Sequence, residues 1–139
     1  HCTASIETRG ESVFAARNTI DGLLIAPGHG FWPYTSWGEG EDTGAHIDIF
    51  FGRRVLAEEI QFFLRADFPH DNYWQEALLT FSDGSAYPVR LQKTGLCQSI
   101  VLPEPLETEW VRLSDLKKDI SDPSPFPALT QWRVIGREC

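Results

Sequence analysis

The chain has no apolar run near the roughly 18 residues a membrane-spanning helix needs. Basic residues are few: 12 Lys and Arg stand against 20 Asp and Glu, a net charge of −8. They form no stripe, because Arg53-Arg54 and Lys117-Lys118 are isolated pairs. Such a balance repels phosphate backbones and anionic lipid, so nucleic acid is excluded as an expected partner. There is no long helical period, no internal repeat and no linker. A single domain over residues 1–139 is the simplest reading. His1-Cys2 reads as a cut edge, so a module of a longer protein, with other domains beside it, is expected.

Catalytic signatures are missing as well. The chain carries no G-x-S-x-G, H-E-x-x-H, C-x-x-C or phosphate-loop motif. Carboxylate pairs can be drawn in any chain this acidic. Glycoside hydrolysis, however, needs them about 5 Å or about 6.5–9.5 Å apart, which spacing in sequence does not show. The expectation is a non-catalytic binding module. Cysteine is scarce too, with three residues at Cys2, Cys97 and Cys139. Chain ends are often neighbours in space, so a Cys2–Cys139 disulfide is one reading, and it implies an oxidising, secreted setting. Unpaired thiols are the other. With Cys2 and Cys139 bridged, Cys97 is expected to be a small buried hydrophobe.

What is present is aromatic and strand-like. Five Trp and nine Phe are many for 139 residues. Ile47–Phe51, Val55–Leu64, Ala77–Phe81, Ala86–Leu91, Cys97–Leu102, Glu109–Leu113 and Thr130–Ile135 read as short strands. Ala4–Phe14 reads as an edge strand or extended arm. Ser82-Asp83-Gly84-Ser85 is a hairpin turn. Pro103 and Pro105 are expected to close a strand, and 115–127 to form a long loop. About eight strands with turn chemistry between them predict an all-β, antiparallel jelly-roll sandwich.

One loop carries more chemistry than a turn requires. Arg65–Trp74, RADFPHDNYW, joins two strands and holds Arg65, Asp67, His70, Asp71 and Trp74. A sugar site needs a flat aromatic face for the ring and charged groups for its hydroxyls. His29, Trp32 and Tyr34 in GHGFWPY are a second source of such groups, and 115–127 a third wall. The expected ligand set is His29, Trp32, Arg65, Asp67, His70, Asp71 and Trp74. Of these, His70, Asp71 and Trp74 are expected to project outward, whereas Arg65 and Asp67 either shape the loop as a pair or touch ligand. Trp37, Trp110 and Trp132 are expected in or near the core.

The order of several short motifs resembles the galactose-binding-like (discoidin, coagulation-factor C-type) domains and the family-32 carbohydrate-binding modules. They are Asn18-Thr19-Ile20-Asp21-Gly22, Thr35-Ser36-Trp37, Ile47-Asp48-Ile49-Phe50-Phe51-Gly52, Val55–Leu64 and Trp132-Arg133-Val134-Ile135-Gly136. The resemblance implies a sandwich whose end loops bind a glycan or polysaccharide, galactose-type or related. It implies extracellular work. It also implies a structural calcium ion near Asn18, Asp21, Thr35 and Gln131, since calcium takes six to eight oxygen ligands. Some relatives are instead protein- or membrane-interaction domains, and Phe31-Trp32 is an apolar tip of that kind.

Overall fold

The computed structural model describes residues 1–25, 32, 34–40, 44–66 and 71–139. Among them are seven strands: β1 (Cys2–Ala4), β2 (Trp37–Gly38), β3 (Ile47–Leu64), β4 (Trp74–Phe81), β5 (Ala86–Arg90), β6 (Gln98–Lys118) and β7 (Ala128–Glu138). All named pairings are antiparallel. The strands run in the order β2-β7-β3-β6-β4-β5, with β1 also on β3.

Two long strands turn this single ladder into a sandwich. The first part of β3 pairs with β1 and with Trp110–Leu113 of β6; its second part pairs with β7 and with Gln98–Thr108 of β6. The ladder slips between Phe50 and Val55, where Gly52 takes φ +73°, a conformation in which a side chain would be strained. β4 and β5 extend the first half, and β2 extends the second. Ile47, Ile49, Leu79, Phe81, Val111 and Leu113 from one half share a core with Ile60, Phe62, Leu64, Leu129 and Trp132 from the other. Alternation along β4 is regular: Ala77, Leu79 and Phe81 are buried, and Glu76, Leu78 and Thr80 face out.

Several boundaries differ from the sequence reading. Pro103 and Pro105 do not end a strand. They lie within β6, in the gap between the paired residues Val101 and Leu106, where no ladder bond is lost to the missing N–H. β6 then runs to Lys118, shortening the expected 115–127 loop. The N-terminal arm is β1 followed by short 3-10 turns at Thr8–Gly10, Ser12–Phe14 and Ala16–Thr19. The hairpin at 82–85 forms as expected, closed by Gly84 N–H on Phe81 O (3.0 Å) and Ser85 N–H on Asp83 Oδ1 (2.8 Å). The two bonds from Ser85 hold the Asp83 carboxyl below its usual range.

The expected disulfide is corrected: Cys2, Cys97 and Cys139 are free thiols. β3 shows why. Cys2 pairs with Ile49, whereas Glu138, the neighbour of Cys139, pairs with Val55. Both ends lie along the same strand but at separate registers, at about 3.3 Å of rise per residue. A disulfide needs Cα atoms within about 7 Å. Cys97 is exposed rather than buried. Burial pushes the Cys2 thiol pKa up, away from the reactive thiolate.

Candidate functional site

Three segments meet at one end of the sandwich. Residues 34–36 lead into β2, 65–73 link β3 to β4, and 119–127 link β6 to β7. Arg65 N–H donates to Ala128 O (2.9 Å), which ties the loop after β3 to the start of β7. Asn72 lies in an isolated bridge to Pro127 and donates from Nδ2 to Asp119 O (3.0 Å) and Ser124 O (2.7 Å). These contacts hold 119–127 against the chain leading into β4. Asn18 Nδ2 donates to Ser12 O, Val13 O and Ser36 O (2.9, 3.0 and 3.2 Å), bringing the N-terminal segment under the same end.

Beneath these loops lies a buried charged layer. Arg65 Nη2 meets Asp71 Oδ1 at 3.1 Å, and neither side chain is more than 4% exposed. Arg65 Nη1 reaches Ser36 Oγ at 3.5 Å, and the guanidinium lies 6.0 Å from the Phe14 ring centre. Trp74 is fully buried, 5.8 Å from Trp37 across the sandwich, and its indole N–H donates to Glu39 Oε1 at 2.7 Å. Two expectations change here. Asp71 and Trp74 do not project outward, and Arg65 pairs with Asp71. The ladder shifts between Trp74 and Glu76, which puts Trp74 on the core side with Ala77, and an indole whose N–H has a carboxylate partner is readily buried. Glu39 is that partner.

Trp32 behaves in the opposite way. It is 82% exposed and sits edge-on to Tyr34, with ring centres 5.5 Å apart at 84°. A tryptophan left this open forgoes its burial energy, and exposed apolar surface of this size is the informative exception. Trp37 and Trp132 are core and Trp110 is partly buried, as expected. His29, Asp67 and His70 lie outside the described residues.

The residues assigned to calcium fall into two linked pairs. Gly22 N–H donates to Gln131 Oε1 (3.2 Å), and Asn18 binds the carbonyl of Ser36, next to buried Thr35. Their donor set is weak for calcium. Asp21 is the one carboxylate of the four, and its Oδ1 already accepts Leu23 N–H at 2.9 Å. Gln131 supplies a neutral oxygen that is already spent on an N–H. Among the described residues no three His, Cys, Asp or Glu side chains cluster.

The fold is similar to that of solved family-32 carbohydrate-binding modules. It superimposes on the family-32 module of C. perfringens NanJ, solved with galactose, with a TM-score of 0.70 at 14% identity, over 96% of this chain and 91% of that one. It also matches chitosan-binding module 1 of a Paenibacillus sp. IK-5 chitosanase/glucanase (TM-score 0.73, 16% identity, 98% and 94% covered). A Streptococcus pneumoniae fucose-binding module is similar as well (0.67, 16%, 99% and 94%). No family model and no curated protein matches the sequence.

Proposed function

We propose that this protein is a non-catalytic carbohydrate-binding module that takes a glycan at the loop end of the sandwich. The observation that carries the reading is Trp32, open to solvent and edge-on to Tyr34, two residues before Ser36, which the buried Arg65 of the Arg65–Asp71 pair reaches. The indole face covers the C–H face of a pyranose. Directional bonds to hydroxyls are assigned to His29, Asp67 and His70. The solved relatives support the class: their ligands are galactose, chitosan and fucose. Attachment to a secreted glycan-active enzyme, as the chitosanase/glucanase origin of one relative suggests, belongs to the same proposal.

Replacing Trp32 with alanine is expected to weaken glycan binding at least tenfold, about 1.4 kcal/mol. The urea midpoint should stay unchanged, because the side chain buries little. A glycan array followed by calorimetry checks this. Unaltered sugar binding by Trp32→Ala would sink the reading, and pelleting with phosphatidylserine vesicles would favour a discoidin-like membrane role instead.

We also propose that the Asp21 loop is held by hydrogen bonds rather than by calcium. The Tm is then expected to match, within about 1 °C, in excess calcium and in excess chelator. A calcium-dependent rise of several degrees would mean that the ion binds the folded state, since a ligand that does so stabilises it by mass action.

A further inference from the structure

A second site lies away from the loop tips. A cleft of about 460 Å3 opens on the outer face of β4, β5 and β6. That volume is within the range of small-ligand sites. Its floor is apolar: Leu78 and Pro88 are register partners on β4 and β5. In the next row Glu76 stands between Arg90 of β5 and Lys117 of β6. Glu76 Oε1 meets Arg90 Nη2 at 2.8 Å and Oε2 meets Lys117 Nζ at 3.5 Å. The two cations are the outer members, with side chains 86% and 70% exposed against 40% for Glu76. This end keeps a net positive charge and unused N–H donors.

Asp115 supplies the opposite chemistry. Opposite β4 the ladder steps from Lys117 at Glu76 to Ser114 at Leu78, so Asp115 and Leu116 face the single residue Ala77. This bulge buries Leu116 and leaves Asp115 exposed at the cleft. Asp115 takes φ +50°, one of two non-glycine residues with positive φ among those described. A glycine would make the same bulge without the steric cost. What aspartate adds is a carboxylate, which takes no hydrogen bond or ion pair among the described residues. Strain retained at a cleft points to function.

We propose that this cleft binds a uronic-acid sugar. The sugar carboxylate pairs with Arg90 and Lys117, ring hydroxyls donate to Asp115, and the C–H face lies on Leu78 and Pro88. A neutral sugar would leave the cationic end unused. A simple polyanion would meet Asp115 and a chain of net charge −8. The site does not depend on the Trp32 reading, and either can fail alone.

Titration with the methyl glycoside of galacturonic acid, which carries a single carboxylate, followed by backbone amide NMR on the whole chain, tests this. Saturable shifts are expected at 76–78, 89–90 and 114–117, with far weaker ones from the neutral methyl galactoside. An Arg90→Ala, Lys117→Ala double variant should weaken binding at least tenfold, while Trp32→Ala leaves the cleft shifts unchanged. Asp115→Gly keeps the bulge, so it should fold like the parent and still lose severalfold in affinity. Shifts confined to 32–36 and 65–73, or an unchanged affinity in the double variant, would overturn the proposal.

Discussion

Arg65→Ala is expected to cost about 3–5 kcal/mol of folding stability, because it strands a buried carboxylate. Arg65 and Asp71 are almost wholly out of water and share a 3.1 Å contact. A domain of this size has only about 5–15 kcal/mol in total, so the variant should be close to unfolding at room temperature. Urea denaturation measures it through the fall in midpoint. Asp71→Ala should cost a similar amount for the mirrored reason. An Arg65→Met, Asp71→Leu double variant should lose much less than the two alanine effects added together, since no charge is left unpaired. An Arg65→Ala loss below about 1 kcal/mol, with glycan binding abolished, would return Arg65 to the ligand set.

Trp74→Ala comes next, with an expected loss of about 3–5 kcal/mol for a fully buried tryptophan. Trp74→Phe separates packing from polarity. It keeps most of the volume beside Trp37 but removes the donor from Glu39, for which about 1–3 kcal/mol is expected. Glu39→Gln keeps an acceptor for the indole and should fall below Trp74→Phe in cost. If Trp74 were a sugar platform, its alanine variant would keep its urea midpoint and lose ligand; the opposite is expected.

These two variants mark the limit of reading a loop by composition. RADFPHDNYW holds charges and aromatics that suit either a ligand or a buried brace. In isolation Arg65 and Asp71 look like recognition groups, because charged residues are rarely buried without a partner. The partner is six positions away, across a turn, and no local periodicity reports it. Trp74 carried a misleading signal: the alternation that buries Ala77, Leu79 and Phe81 would turn it outward, and a register shift between Trp74 and Glu76 reverses that. Glu39 carried none, since its partner is 35 residues distant. The cleft residues Glu76, Arg90 and Lys117 were equally hidden, being ordinary exposed charges until cross-strand register sets them in one row.

By itself the sequence determined the all-β class, the hairpin at 82–85, the loop between Leu64 and Trp74 and the core roles of Trp37 and Trp132. Each follows from a local pattern: period-two alternation, turn residues, or an ordered set of short motifs. Only the tertiary structure decided that β3 and β6 run unbroken through both halves, that the terminal cysteines stand apart, and which aromatics face water. Those outcomes depend on which strand lies beside which, and register is a long-range property. Arg65–Trp74 accordingly changes role. The described ends of that loop are its buried anchor, and Trp32 and Phe126 are the exposed aromatics among the described residues near it.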